Sequence, residues 1–248
     1  MARHTAVISE RDVIGIIGGM GSYACSGLFH NILKACGIRC DQDYIEVLVH
    51  NNTRILDRTE CIFKKDDSPA KELIRSLKIL ESAGANKIII GCVTAHYYID
   101  KIKKYCVNSQ IFNVVEETES YIEKNYGGVR KIGIICSRGA QKVGIWDKYL
   151  SEKNITPIYL SDINQEMIFE DIIYGERGVK SGIFAENKPK LDNAIKCLNE
   201  EGADIVLGSC SELQMIQRSN LEIGYLDVFD ITINKIVNEY YNDLLRCI

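Results

Sequence analysis

The chain has 248 residues, enough for one large α/β domain or two of about 120 residues each, and 46% hydrophobic with 26% charged residues is an ordinary globular composition. Lys and Arg total 30 against 34 Asp and Glu, a net charge of −4 without long single-sign runs, which gives no basic footprint for nucleic acid or an anionic membrane. No apolar run reaches the 18 or so residues of a membrane span and residues 1–12 lack a secretory apolar core, so a cytoplasmic protein is expected.

Short apolar runs followed by glycine or a polar turn, and then by helical periodicity, give the βα alternation of a parallel sheet. In chain order the spacing predicts strands at 13–17, 45–49, 87–90, 111–114, 131–135, 156–160 and 205–207. Helices are predicted at 22–35, at 68–83 behind Ser68-Pro69, at 187–201, and at 230–247, where an amphipathic segment closes the chain. The ten cysteines are scattered with no Cys-x-x-Cys, and the four histidines have no ligand spacing, so neither a disulfide framework nor a metal site is expected.

The most informative feature is an internal echo. Ile14-Gly15-Ile16-Ile17 recurs as Ile132-Gly133-Ile134-Ile135, and 132 − 14 = 118. Gly84-Ala85-Asn86 recurs at the same shift as Gly202-Ala203-Asp204, and Cys92 falls on Cys210. One shift shared by three landmarks predicts two similar α/β halves, each with a cysteine just past the carboxyl end of a strand. Ligands sit outside the carboxyl ends of strands in open parallel sheets, so two facing halves would present Cys92 and Cys210 from opposite walls of one cleft.

A single such cysteine reads as a buried small hydrophobe. The matched pair, each followed by polar residues in a strand-to-helix turn (Thr94-Ala95-His96 and Ser211-Glu212), points to reactive thiols. Two acid/base groups on opposite faces of one ligand suit removal of a proton from one face of a carbon and return of a proton on the other, which inverts a stereocentre. No lysine motif for a Schiff base is evident, so no pyridoxal phosphate is expected.

Other motifs carry less. Gly15, Gly18, Gly19 and Gly21 do not have the Gly-x-Gly-x-x-Gly spacing of a dinucleotide loop, and there is no P-loop or Gly-x-Ser-x-Gly elbow. His96 reads as a packing or supporting residue rather than a base.

The segments Gly18-Gly19-Met20-Gly21, Leu56-Asp57-Arg58-Thr59, Cys92-Val93-Thr94-Ala95-His96, Val115-Glu116-Glu117-Thr118, 172–180 and Cys210-Ser211-Glu212-Leu213 stand in an order and spacing that resembles the cofactor-independent aspartate/glutamate racemase family, most closely its aspartate branch. The resemblance implies an α/β fold of two pseudo-symmetric, flavodoxin-like open parallel-sheet lobes with the active site in the cleft between them. The lobes would comprise residues 13–113 with 223–248, and 114–222, behind an N-terminal extension at 1–12. It implies a homodimer that needs no cofactor and acts on a small amino acid.

The same resemblance implies Cys92 and Cys210 as the two catalytic bases. Arg58 and Lys180 match positions that hold the substrate's carboxylates, and the turns at Met20-Gly21 and at Val93-Thr94-Ala95 match backbone donors to the α-carboxylate. Asn52, Ser211 and Glu212 complete the substrate-binding set, with Glu212 expected to orient a thiol or the substrate ammonium. A guanidinium suits a carboxylate, and amides at helix N-termini favour anions. Three departures bear on substrate: Val93 where asparagine is usual, Ser22 where proline is usual, and a partly kept loop at Ser137-Arg138-Gly139-Ala140. Another cysteine-dependent isomerase or decarboxylase of the same superfamily, or an amino-acid-binding protein without turnover, are the competing readings.

Overall fold

A computed structural model describes residues 11–217, 219 and 222–246. The strands are β1 (Val13–Gly18), β2 (Glu46–Asn51), β3 (Lys87–Ile90), β4 (Gln110–Phe112), β5 (Lys131–Ile135), β6 (Thr156–Tyr159), β7 (Ile205–Gly208) and β8 (Gly224–Asp227). The first lobe's helices are α1 (Ser22–Cys36), α2 (Arg58–Lys64), α3 (Ser68–Ser82) and α4 (Ile99–Lys103). They are followed by α5 (Val114–Asn125), α6 (Arg138–Lys142), α7 (Ile145–Ser151), α8 (Asp162–Asn164), α9 (Asp171–Tyr174), α10 (Lys188–Glu200) and α11 (Val228–Arg246). A π-helical turn, Gln165–Glu170, joins α8 to α9.

Two parallel four-stranded sheets have the same strand order, β2-β1-β3-β4 and β6-β5-β7-β8. The sequence echo is kept in the register: Ile14 pairs with Lys87 and Ile132 with Ile205, each pair displaced from the other by 118 residues, 132 − 14 and 205 − 87. It is kept in the capping too. Asn86 Oδ1 accepts from the Val13 amide, and Asp204 Oδ2, at the equivalent place, accepts from the Lys131 amide. Gly84 and Gly202 both take a positive φ, 99° and 90°, in the turn that ends a helix ahead of a strand, a conformation open to glycine at little cost.

Gly15 and Gly133 explain why the echo includes a glycine inside a strand. A Cβ on Gly15 would come within 2.7 Å of Ile88 and 3.2 Å of Leu80 of α3; one on Gly133 would come within 2.9 Å of Leu198 of α10. In each half the bare glycine lets a helix lie close against the sheet.

Alternation along the strands divides the core into three parts. Ile14, Ile16 and Ile89 of the first sheet and Ile132, Ile134 and Leu207 of the second face a shared core with α1, α5 and α11. Ile17, Ile88 and Ile90 face outward onto Leu73, Leu77 and Leu80 of α3. Ile135 and Val206 face Leu191, Ile195 and Leu198 of α10. The two lobes are therefore joined through their inner faces.

β8 is absent from the sequence reading, which assigned 223–248 to the first lobe. Its four residues pair with β7 and complete the second sheet. The run is short and holds glycine and aspartate, so its alternation is too weak to stand out. The closing helix begins at Val228; residue 247, where its predicted end fell, and residues 1–10 of the expected extension lie outside the described residues.

Candidate active site

Both cysteines stand at carboxyl ends of the strands at the centre of their sheets. The Gly91 amide bonds to the Ile17 carbonyl at 2.9 Å and the Ser209 amide to the Ile135 carbonyl at 2.8 Å, so equivalent bonds carry the chain across the sheet just before Cys92 and Cys210. Cys92 is 8% exposed, and Cys210 is partly exposed. The Ser211 hydroxyl contacts the Gly91 carbonyl at 3.0 Å and Glu212 Oε2 at 3.1 Å, which ties the turn of one cysteine to the turn of the other.

Arg58 is the first residue of α2, whose start is fixed by Asp57: its carboxylate caps the helix by accepting from the Glu60 amide at 2.9 Å. The guanidinium is buried, donating through Nη2 to the Met20 carbonyl at 3.0 Å and through Nη1 to the Leu56 carbonyl at 3.2 Å. Its Nε is buried and makes no hydrogen bond. Burial works against the guanidinium charge, and the neighbouring Cys92 and Asp57 more than restore it, so the group stays cationic.

Lys180 reaches the same carbonyl from the second lobe: its Nζ lies 3.3 Å from the Met20 oxygen, 3.0 Å from Glu212 Oε1 and 5.2 Å from the centre of the Tyr174 ring. Glu212 is buried, and its other oxygen, Oε2, accepts from Cys210 Sγ at 3.1 Å. Burial, followed by the charge and hydrogen bond of Glu212, pushes the Cys210 thiol well above its ordinary range. Gly21 leaves room for this group, since a Cβ there would stand 2.4 Å from Glu212 Oε1.

Arg58, Lys180, Glu212, the 19–24 segment and Val179 enclose a cavity of about 280 Å³. The first turn of the 15-residue helix α1 opens onto it, and such a turn favours an anion. Cys92 and Cys210 are not on its lining; they adjoin it through Arg58 and Glu212. A wider groove of about 1100 Å³ lies along α1 and α11 and holds no cysteine.

Of the residues predicted from sequence, Met20, Gly21, Arg58, Lys180 and Glu212 come together around the cavity, and Ser211 stands between the two thiol turns. Asn52 does not join them. Its amide donates to Glu72 and Ser76 and its oxygen accepts from Arg75 and the Arg54 amide, so its side chain is spent on bracing α3. Val93 is 1% exposed and packs in the shared core, and Ala95 packs against the outer face of the first sheet. The valine therefore leaves no gap in the cavity wall. Thr94 Oγ1 lies 2.7 Å from Ser137 Oγ, a buried contact between the lobes, while Ser137 caps α6 by accepting from the Ala140 amide.

His96 supports the first cysteine. Its Nε2 accepts from the Val114 amide at 3.3 Å, so Nδ1 carries the proton and donates to the Cys92 carbonyl at 3.0 Å. Burial pushes its pKa down to about 4, and the ring is neutral at pH 7. Tyr23 was not singled out in the sequence, and Ser137 and Tyr174 stood there only as members of the 137–140 loop and the 172–180 segment, without a role of their own. Ser137 could have been found from the echo, because 137 − 118 = 19 places it opposite the glycine loop after β1. Among the described residues no three His, Cys, Asp or Glu side chains cluster so as to hold a metal ion, and no described helix is long and apolar enough to cross a membrane.

Two parallel-sheet lobes sharing one core, each placing a thiol at the end of its third strand, define a two-lobed α/β protein with its candidate site between the lobes. Residues 17–236 match the family Asp/Glu/Hydantoin racemase, and the chain belongs to that family; it is an isomerase of the amino-acid racemase type. The broad specificity amino-acid racemase RacX of Bacillus subtilis (strain 168) is 23% identical over 82% of this chain and 87% of its own length. Among solved structures, the aspartate racemase of Picrophilus torridus superposes with a TM-score of 0.76 at 22% identity, covering 93% of this chain and 94% of that one. The aspartate racemase homologue of Pyrococcus horikoshii OT3 gives 0.69 at 22% identity, covering 94% of this chain and all of that one (100%).

Proposed function

We propose that this racemase inverts the Cα of aspartate or a related acidic amino acid by two-base proton transfer between Cys92 and Cys210, without pyridoxal phosphate or metal, as a cytoplasmic homodimer. The observation that carries the reading is the pair of equivalent cysteines bracketing Arg58, Lys180 and Glu212. One thiolate takes the Cα proton; the electron pair left on carbon spreads into the α-carboxylate; the opposite thiol delivers a proton to the other face and becomes the thiolate. Cations on that carboxylate stabilise the charge as it grows, which is where electrostatic preorganisation contributes most. Arg58 and Lys180, both on the cavity wall, supply two cationic sites for two carboxylates, and Glu212 supplies an anion for the ammonium.

A second reading, breadth of substrate, is favoured by one observation: Lys180 is already paired with Glu212, so a substrate with a single carboxylate, held by Arg58 alone, also balances the site. Incubation in D2O with single enantiomers of aspartate, glutamate and several neutral amino acids, followed by NMR of the Cα proton and chiral chromatography, tests both. Exchange with inversion confined to acidic substrates supports the first reading, and exchange across the panel supports the second. Carbon dioxide release, or binding without any exchange, overturns both.

A further inference from the structure

We infer that Glu212 sets the protonation of the thiol pair in the empty enzyme, holding Cys210 as the protonated acid and leaving Cys92 as the base. This assignment rests on the two-cysteine reading above and adds to it which thiol starts each turnover.

The geometry is asymmetric although the fold is symmetric. Cys210 Sγ is 3.1 Å from Glu212 Oε2, and a carboxylate oxygen accepts a hydrogen bond only from a thiol that keeps its proton. A thiolate there would put two anions at hydrogen-bonding distance in a largely buried site. Lys180 Nζ stands 3.0 Å from the other carboxylate oxygen, so a cation faces that side of Glu212 and Oε2 is the oxygen turned to the thiol. Tyr174 and the Cys92 thiol also face Cys210 and supply no cation, and the Glu212 amide donates to the Cys210 sulfur, a smaller effect in the opposite direction. In the other half the group beside the cysteine is a cation, the Arg58 guanidinium next to Cys92.

In the step this implies, the Cα–H bond breaks and its proton passes to Cys92 Sγ. Cα then takes the proton of Cys210 Sγ, leaving a thiolate opposite Glu212. That product form is the less favoured one, and exchange of protons with solvent returns the pair to its starting state.

Alkylation reads the assignment without turnover, because the thiolate is the form that reacts with iodoacetamide. Whole-residue exposure gives Cys92 no head start, since it is 8% exposed and Cys210 is partly exposed, although the Cys210 sulfur itself is buried. The proposal expects Cys92 to lead: peptide mass spectrometry of the full chain at pH 7.5 should show Cys92 modified about tenfold faster or more, a factor that corresponds to about one pKa unit, and the Glu212 variant separates the carboxylate's part from that of burial. In Glu212→Gln, Cys210 should speed up about tenfold, and the alkaline limb of kcat/KM should move to lower pH by about one unit. Cys210 reacting as fast as Cys92 in the unaltered protein, or an unchanged ratio in a folded Glu212→Gln variant, overturns the assignment. Should that variant fail to fold by circular dichroism, the order of labelling in the unaltered protein from pH 6 to 10 decides alone. A protein with asymmetric labelling and no racemisation would defeat the proposed reaction and leave the thiol assignment; racemisation with equal labelling would do the opposite.

Discussion

Glu212 is a residue at which the two halves differ in charge. Its partner by the 118-residue shift is Thr94, since 212 − 118 = 94, so one half has a carboxylate where the other has a hydroxyl bonded to Ser137. That difference, together with Arg58 beside Cys92, distinguishes the surroundings of the two thiols. Removing either thiol tests the reaction itself. Cys92→Ala and Cys210→Ala are each expected to lower racemisation by about 10²- to 10⁴-fold, the range for loss of an acid/base group, with circular dichroism and melting temperature little changed. Full activity in either variant contradicts the two-base reading.

At the scale of elements, two short turns hold the chemistry. Helix α2 has only seven residues and depends on its cap, so Asp57→Ala should cost about 1 kcal/mol, read as a lower melting temperature. Because α2 starts with Arg58, the same change should raise KM more than it lowers kcat. The turn after β3 depends on neutral His96. Its pKa is depressed to about 4 from an ordinary 6.5, so the unfolded chain binds the proton more readily. Stability is thus fully present above pH 6.5 and lost as pH falls through about 4, by up to about 3 kcal/mol. A His96→Gln variant should show a flatter loss of melting temperature across that interval, and an unaltered slope would show that the ring titrates normally. Strands β1 to β7 and helices α1, α3, α10 and α11 were legible in sequence because helix periodicity, Gly-Ala turns and strand alternation are local patterns; the short α2 was not, because seven residues carry too little periodicity. The β8 strand was not, because only its pairing with β7 makes it a strand.

At the scale of the molecule, the shared core decides how the lobes behave. Phe229 of α11 is fully buried with residues of both sheets, so the lobes should melt together in a single calorimetric endotherm. Phe229→Ala should lower that one transition by about 3–5 kcal/mol, the usual cost of emptying a large aromatic site. Two separated endotherms would show that the lobes are independent.

What the sequence by itself determined was the doubled α/β plan and the equivalence of Cys92 and Cys210, because a repeat offset and local periodicity survive in one dimension. Tertiary structure alone decided which side chains meet. Asn52 turned to α3 and Val93 into the core, although Val93 directly follows Cys92 in the chain. Lys180 and the Met20 carbonyl, 160 residues apart, came together with Arg58 and Glu212. Side-chain direction at a cleft is set by packing between distant elements, and no local pattern along the chain encodes it.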